Sequence, residues 1–378
     1  MAKVTRFIGL DVHAETIAVA VAEVGGEIRS LGTIPNTPEA VRKLIRKLEP
    51  AEHLAVCYEA GPCGYVLYWQ LTKLGVKCEV IAPTLIPEKS GDRVKTDRRD
   101  AEKLARCLRN GDLTAVWVPD AAHEALRDIV RAREAAKKDQ LRARHRLQKF
   151  LLRNGLRVPG KRAWTHAYFS WLRALKFDQP AQQATFLDYQ TEVEHARERI
   201  ARLDRSIDEA IEAAPAETRA IVEALQALRG VAKVVAVTAV AEVGRFSRFQ
   251  KARQLMGYSG MVSSEFSTGG PGKARRGAIT KTGNAHLRRV VGEAAWSYRF
   301  RPAMYPSLRQ RLRKQGEPVK EIAWKAQHRL YSRYCKLLGR GKTKQQVVTA
   351  VGRELLGFMW AIAVHVETEL DQKKQSAA

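Results

Sequence analysis

Three short segments rich in valine, isoleucine and alanine open the chain, and they constrain its fold more than any other feature. They span residues 5–12, 16–24 and 27–34, and each has the length of a β-strand. Gly25-Gly26, between the second and third segments, is typical of a tight hairpin turn. The pattern predicts three consecutive antiparallel strands.

Alternating helix and strand signals follow these three segments. Asn36-Thr37-Pro38 provides a cap and a first-turn proline for a helix that ends near residue 48. The elements predicted next are a strand at 53–60, a helix at 64–74, a strand at 77–82, a helix at 97–109 and a strand at 113–118. Three antiparallel strands followed by crossover units are typical of the ribonuclease H-like fold, a mixed sheet flanked by helices. We therefore expect an α/β domain followed by a mostly helical remainder.

The helical part begins near residue 121, and its first long helix ends at Asn154-Gly155, a C-terminal helix signal. A second long helix, over 181–213, has apolar residues at a and d positions of three heptads. This spacing predicts an antiparallel hairpin or an intermolecular coiled coil, and an amphipathic helix on a core explains it nearly as well. The heptad positions are Val193, Ala196, Ile200, Leu203, Ile207, Ala210 and Ala214.

Two further helical stretches flank Leu228-Arg229-Gly230-Val231. They loosely resemble a helix-hairpin-helix element, whose glycine turn presents backbone N–H groups to a DNA phosphate. From these signals we predict a catalytic domain at 1–155, a helical coiled-coil segment at 156–218 and a C-terminal domain at 219–378.

Positive charge is concentrated away from the N-terminal domain. The chain has 66 Lys and Arg against 40 Asp and Glu, a net charge of +26, yet the first 120 residues hold 17 basic and 16 acidic side chains. Residues 270–344 hold 20 basic and 3 acidic side chains, and 140–162 hold eight basic and none acidic. With aromatic residues interleaved, this excess favours phosphate-backbone contact over solvated helix faces. The candidate contacts are Lys273, Arg275, Arg276, Lys281, Arg288, Arg289, Arg142, Arg144 and Arg146.

Other composition features exclude some classes of protein. The five cysteines form no C-x-x-C pair, which argues against a disulfide framework and a cysteine zinc site. The first residues show no secretory leader, and the longest apolar run, 357–366, is about half of a membrane span. We expect a protein of a reducing compartment with no membrane partner.

Four carboxylates form the candidate catalytic site. Asp11 ends the first strand and Glu59 the fourth, and these strands are neighbours in a ribonuclease H-like sheet. Asp97 and Asp100 lie three apart at the start of a helix, on one face. Gathered carboxylates repel one another unless cations are bound, and Mg²⁺, as one or two ions, is the usual partner in phosphodiester chemistry. Each acid alone could equally be a structural cap, and we interpret His13 as structural.

A loop rich in glycine and hydroxyl groups forms a second candidate site. The segment SGMVSSEFSTGGPGKARR places serine and threonine hydroxyls beside Lys273, Arg275 and Arg276. A hydroxyl in this setting suits attack on a phosphate whose developing charge the cations stabilise. A flexible phosphate-binding turn explains the same composition.

Six segments, in order and spread over nearly the whole chain, resemble the DEDD transposases of the insertion-sequence one-ten family, relatives of the Piv invertases. They are IGLDVH, YEAGPCG, DRVKTDRRDAEKLAR, RQLMGYSG, STGG and GAITKTGNAHLRR. The resemblance implies a RuvC-like N-terminal domain whose four acids bind Mg²⁺. It also implies a coiled-coil segment and a C-terminal transposase domain with a serine that becomes covalently linked to DNA. The acids carried over are Asp11, Glu59, Asp97 and Asp100.

Ser267 matches the nucleophilic serine of that family best, with Ser264 and Ser263 as alternatives. The chain departs from the family pattern at Ser263, where the family has a proline. The resemblance further implies a composite site across subunits of a dimer or tetramer. It implies a structured bridge RNA that pairs with donor and target DNA, in the cytoplasm of a prokaryote.

Three other interpretations explain parts of the sequence. A RuvC-like junction nuclease would hydrolyse DNA with the carboxylates alone, which leaves the hydroxyl-rich loop unexplained. A non-catalytic nucleic-acid-binding protein would have no need of four intact acids. A sugar-kinase-like protein shares the strand that precedes Asp11, but it requires a second glycine-rich nucleotide-binding half, which this chain lacks.

Overall fold

The computed structural model describes residues 3–48, 50–88, 91, 95–158, 160, 162–266 and 275–377. The chain forms two compact units, Met1–Pro119 and Asp120–Ala378. The predicted domain at 1–155 is therefore longer than the first unit, because its last helix packs against later helices of the second unit.

The N-terminal unit is a five-stranded mixed sheet with helices on it, as the strand and helix signals predict. The strand order is β3-β2-β1-β4-β5, with β1 antiparallel to β2 and parallel to β4. The strands are β1 Arg6–Val12, β2 Thr16–Glu23, β3 Ile28–Pro35, β4 Leu54–Glu59 and β5 Lys77–Ile81. The helices are α1 Pro38–Leu48, α2 Val66–Lys73 and α3 Asp97–Asn110, and short 3-10 turns cover Ala51–His53 and Pro83–Leu85.

The strand predicted at 113–118 is wrong. This segment makes one antiparallel bridge, between Ala115 and Ile81, and two further backbone hydrogen bonds to the end of β5. Pro119 follows and has no N–H with which to extend the pairing. The segment therefore runs beside the sheet edge without becoming a sixth strand.

The two faces of the sheet are packed in different ways. One face carries large apolar side chains such as Ile8, Leu10 and Val19, which form a core with α1 and α2. The opposite face carries small residues such as Ala18 and Ala20, which pack against Ala101 and Ala105 of α3. Because these residues are small, α3 lies close to the sheet.

The second unit is mainly helical, as predicted for the chain after residue 121. Its long helices surround a large apolar core. The helices are α4 Ala121–Arg153, α5 His166–Ala174, α6 Pro180–Ala213, α7 Ala216–Leu225, α8 Lys233–Val243, α9 Ala252–Tyr258, α10 Ala285–Ala295, α11 Pro306–Leu312, α12 Glu317–Gly339 and α13 Lys344–Ala377. A two-stranded antiparallel sheet joins β6 Ser263–Phe266 to β7 Arg275–Ile279, and 3-10 turns cover Phe246–Arg248 and Trp296–Arg299.

The heptad helix α6 packs antiparallel to α4 within the chain. Arg133 of α4 pairs with Asp204 of α6, and Asp139, farther along α4, pairs with Arg199, earlier in α6. The a and d residues Val193, Ile200 and Ile207 are buried. This agrees with the hairpin interpretation, and an intermolecular coiled coil stays a prediction.

The glycine turn between α7 and α8 packs into the interior. Gly230 has a φ of +81°, and a Cβ there would lie 2.4 Å from the carbonyl oxygen of Ala294. Arg311 donates to the carbonyl oxygen of Val231 at 2.8 Å, and Leu228 is fully buried. The turn therefore serves packing, which disfavours the predicted presentation of its N–H groups to DNA.

Helix α13 is long and apolar enough to cross a membrane by length and composition. Half of its most apolar window is buried inside the unit, where Leu355 and Leu356 have no exposed surface. Such burial is typical of a core helix.

Candidate active site

Two elements bring acidic side chains together in the N-terminal unit. In β1, Asp11 is two residues after Gly9 and so faces α3 as Gly9 does. Thr96 caps α3 by accepting a hydrogen bond from the backbone N–H of Arg99, so the helix begins at Asp97. The first turn of α3 therefore carries its acids to the end of β1.

Asp11, His13 and Asp97 are in close contact. The Nε2 of His13 lies 3.3 Å from Oδ2 of Asp11 and 3.6 Å from Oδ1 of Asp97. One ligand atom from each of the three residues lies within 4.8 Å of the other two. The Asp11 side chain is only 20% exposed, whereas that of Asp97 is 65% exposed, so the cluster opens to solvent on the α3 side.

Asp100 and Glu59 lie beside this cluster. Glu59 is the last residue of β4, the strand paired in parallel with β1. Oδ2 of Asp100 lies 3.8 Å from Nζ of Lys95, and the charges of Lys95 and Asp100 both act on Glu59. The four predicted acids are therefore close enough for their charges to interact, although only Asp11 and Asp97 share a ligand triangle with His13.

The site raises the pKa values of two of its carboxyls. Burial raises the pKa of Asp11, His13 opposes this, and the charges of Asp100 and Asp97 raise it further. Burial also raises the pKa of Glu59, against the influence of Lys95. The protein thus compensates the two ionised carboxylates only in part, and a bound cation would supply the rest.

A divalent cation fits the donor set of this cluster. Carboxylate oxygens suit Mg²⁺ and Mn²⁺, and an imidazole nitrogen suits Mn²⁺ and later transition metals. When bound, such an ion acts as a Lewis acid on a phosphoryl oxygen. The residues placed to hold it are Asp11, Asp97 and His13. Asp100 and Glu59 interact electrostatically with Asp11.

His13 is the site residue that sequence reasoning missed, because we interpreted it as structural. It follows β1 directly, and its backbone N–H donates to the carbonyl oxygen of Thr16 at 2.8 Å. The available signal was its spacing: residues two apart along a strand share a face, so His13 had the same orientation as Asp11.

The hydroxyl-rich loop is described only at its base. Ser267 and Lys273 lie outside the described residues, as do the side chains of Arg275 and Arg276. Phe266 pairs with Arg275 across the β6–β7 hairpin, so the loop begins and ends at one point. The hydroxyl of the alternative nucleophile Ser264 donates to the carbonyl oxygen of Ala278 at 3.1 Å, and Ser263 is half-buried.

Two predicted nucleic-acid contacts in α10 have partners within the protein. Arg288 donates to the carbonyl oxygen of Ser259 at 2.7 Å. Arg289 lies 3.1 Å from the carboxylate of Glu134 and pairs with Glu293. Both arginines therefore support the local structure, and a phosphate role for either stays a prediction.

The contacts predicted in α4 differ from one another. Arg142 pairs with Asp139, and the guanidinium of Arg144 stacks over the ring of Trp164 at 4.8 Å. Burial lowers the pKa of Arg144. The predicted contacts whose side chains are exposed and make no hydrogen bond or ion pair to a described residue are Lys281 and Arg146.

The segment GAITKTGNAHLRR includes a structural turn. Asn284 caps α10 by accepting from the N–H of Leu287 at 2.8 Å, and its side-chain amide donates to Glu242 at 2.7 Å. Glu242 is fully buried and forms two hydrogen bonds with Arg131. Gly283 has a φ of +115°, so its conformation favours glycine. This network fixes the turn at the end of the hairpin.

Comparison with known proteins places the chain in a family. A family model for the DEDD transposases of the IS110 type, described as "Transposase", matches residues 8–154. A second model, described as "Transposase IS116/IS110/IS902 family", matches residues 222–314. The two matches include the acidic cluster and the β6–β7 hairpin.

Two curated relatives extend over most of the chain. The y4qE protein of Sinorhizobium fredii (strain NBRC 101917 / NGR234), whose name describes a transposase, is 46% identical over 366 residues, which cover 94% of this chain and 88% of y4qE. The transposase for insertion sequence element IS1533 of Leptospira borgpetersenii is 34% identical over 345 residues, 89% of this chain and 97% of that protein. The chain therefore belongs to the IS110 family of insertion-sequence transposases, enzymes that act on DNA.

Proposed function

We propose that this transposase cuts and rejoins DNA strands with Mg²⁺ held by Asp11, Asp97, Asp100 and Glu59, and with Ser267 as the nucleophile. The convergence of Asp11, His13 and Asp97 on one point carries the metal part of the proposal. The raised pKa values of Asp11 and Glu59 support it, because both carboxyls gain from a nearby positive ion.

In the proposed mechanism the four acids would hold the cation, and the bound cation would supply Lewis-acid stabilisation to the scissile phosphate. Asp11, the less exposed of the two triangle acids, would be the ligand nearer the sheet. Asp97 lies on the exposed side, where a DNA strand approaches. His13 bridges the two carboxylates and limits their separation.

The proposed strand cleavage is an ester exchange. The Oγ of Ser267 attacks the phosphorus, a serine–phosphate bond forms, and the bond from phosphorus to the 3′ oxygen breaks. The serine loses its proton and the released 3′ oxygen gains one. In rejoining, a 3′ hydroxyl of the partner strand attacks the phosphoserine and regenerates Ser267, so no nucleotide cofactor is needed.

We further propose that a structured RNA of the element guides the enzyme to donor and target DNA, in a dimer or tetramer in the bacterial cytoplasm. The net charge of +26 supports this partner, because RNA and DNA together present many phosphates. Sequencing of RNA that copurifies with the protein, expressed from its native flanking DNA, tests this. A discrete structured RNA is expected, and random host RNA alone would favour an unguided recombinase.

The role of Ser267 as the nucleophile is tested by running reactions with element-end DNA on denaturing gels. Ser267→Ala is expected to abolish the covalent protein–DNA adduct while DNA binding persists. Ser264→Ala is the matched control, since its hydroxyl bonds within the hairpin, and should retain adducts. If the Ser267→Ala variant still forms covalent adducts, the assignment of Ser267 as the nucleophile would be contradicted. Metal-dependent nicks without any adduct in the wild type would indicate a hydrolytic nuclease.

A further inference from the structure

A groove of about 610 Å³ lies between α9, α12 and α13 of the second unit. Its volume is in the range of small-molecule binding sites. No residue to which a catalytic or nucleic-acid role is assigned above lines it. Arginines and one glutamate form its charged part, and Met256 and Phe358 are among its apolar lining.

Some of the charged side chains in the groove form ion pairs and others do not. Glu354 pairs at 3.0 Å with Arg329 and at 3.0 Å with Arg333, so its negative charge is neutralised. The guanidinium groups of the other two lining arginines, Arg253 and Arg353, make no hydrogen bond or ion pair with a described residue, although Arg353 is half-buried. Two guanidinium groups in one groove, neither paired with a residue in the described part of the chain, suit an anionic ligand.

The apolar part of the groove indicates which kind of anionic ligand would fit there. A Cβ at Gly357 would lie 3.0 Å from the Cε of Met256, so the glycine allows α9 and α13 to approach closely. Phe358 follows Gly357 and lines the groove with Met256. A sugar or base packs on such a surface while its phosphate meets arginine, whereas a simple carboxylate would use the arginines alone.

The groove is close in sequence to the hydroxyl-rich loop. Val262 lines it and directly precedes β6. The proposed nucleophile Ser267 is five residues beyond Val262 in the sequence.

We propose that this groove binds the phosphodiester backbone of a nucleic-acid strand, with Arg253 and Arg353 each contacting a phosphate and Met256 and Phe358 contacting sugar or base. The proposal rests on the proposed function, because it assigns the transposase a further contact to its nucleic acid. DNA and RNA share this chemistry, and the test separates them.

Fluorescence anisotropy over a range of salt concentrations tests the groove with three labelled probes: a 20-nucleotide single-stranded DNA, the same sequence as RNA, and the DNA duplex. Against at least one probe, the Arg253→Gln/Arg353→Gln variant is expected to bind at least about tenfold more weakly. The slope of log affinity against log salt should fall by about 1.4 for a single strand or about 1.8 for the duplex, as expected for two lost phosphate contacts. The probe affected identifies the nucleic acid.

The matched control removes two exposed charges elsewhere in the unit. Arg202→Gln/Arg205→Gln, on α6, should leave the slope nearly unchanged. An equal fall in this control, or an unchanged slope in the groove variant with all three probes, would overturn the proposal. A wild type that binds none of the probes would instead contradict the proposed function.

A second measurement needs no variant. Modification of wild-type arginines by phenylglyoxal, read by mass spectrometry, should be reduced at Arg253 and Arg353 when the bound probe is present, and Arg202 and Arg205 serve as internal references. Equal modification with and without the probe would overturn the groove assignment.

Discussion

Gly9 of β1 lies directly against Ala101 of α3, and a Cβ atom at Gly9 would lie 2.2 Å from the carbonyl oxygen of Ala101. That Cβ would also lie 2.4 Å from the backbone nitrogen of Ala105. Both contacts are to backbone, so a side chain at position 9 forces the whole helix away from the sheet. Because α3 carries Asp97 and Asp100, this one glycine sets the separation of the acids from Asp11.

Gly9→Ala should therefore impair both stability and metal binding. We expect a loss of about 3 kcal/mol in the free energy of unfolding, at the upper end for overpacking, since backbone must move. Mn²⁺ affinity, measured by calorimetry, should fall at least about tenfold. Gly61→Ala is the control, because a Cβ there meets nothing closer than 3.9 Å. Unchanged metal affinity in Gly9→Ala would show that α3 does not position the site.

Asp11→Asn should make the metal-free protein more stable. The raised pKa of Asp11 means that its carboxyl group holds a proton more tightly in the native state than in the unfolded state, where its pKa is about 3.8. As pH rises through this raised pKa, the ionised carboxylate costs the native state stability. At neutral pH with EDTA, we expect Asp11→Asn to gain roughly 0.5–2 kcal/mol in thermal unfolding. Asp112→Asn, an exposed aspartate outside the cluster, should change little, and a destabilised Asp11→Asn would contradict this electrostatic account.

His13→Ala should change the metal preference of the site. Loss of an imidazole nitrogen should weaken Mn²⁺ binding by about tenfold and Mg²⁺ binding less, because oxygen ligands dominate for Mg²⁺. Calorimetric titration with each metal measures both affinities. His145→Ala, on the exposed side of α4, is the control. Equal loss for both metals would assign His13 to positioning of the carboxylates alone.

Glu134 should govern the acid stability of the second unit. Burial raises its pKa, but hydrogen bonds from His286 and Lys138 and the charge of Arg289 lower it to about 2, against an ordinary value of 4.5. The unfolded state therefore binds more protons between these values, and stability is lost as pH falls through that window. We expect Glu134→Gln to be less stable by about 3 kcal/mol at pH 7, with the difference vanishing near pH 2. Urea unfolding across this pH range measures the difference, and a gap that does not narrow in acid would contradict the assignment.

The sequence predicted the sheet well because its signals are local. Runs rich in valine, isoleucine and alanine, the Gly25-Gly26 turn and the helix-capping residues specify β1 to β3 and α1. The strand order follows from the handedness of the crossovers. The prediction at 113–118 was wrong because residues with high β-propensity favour an extended backbone but do not ensure hydrogen bonding to a neighbouring strand along the whole segment.

The site was predictable in its acids and less so in its other parts. Strand ends and i, i+3 spacing are sequence properties, so the proximity of Asp11 and Asp97 could be predicted from pattern, whereas their catalytic role stays a prediction. The spacing of His13 from Asp11 indicates a shared face, but its contacts with both Asp11 and Asp97 are given only by the three-dimensional structure. The burial of the turn at Gly230 depends on α10, more than 50 residues later, and no local pattern contains that contact.

DNA strand cleavage measured in parallel with metal binding tests the acidic cluster most directly. Wild type, Asp11→Asn and the control Asp112→Asn are titrated with Mn²⁺ by electron paramagnetic resonance and assayed on element-end DNA in Mg²⁺. We predict that Asp11→Asn loses both metal binding and cleavage, while Asp112→Asn keeps both. Full cleavage by Asp11→Asn, or cleavage by the wild type in excess EDTA, would contradict the assignment of this cluster as the metal-dependent active site.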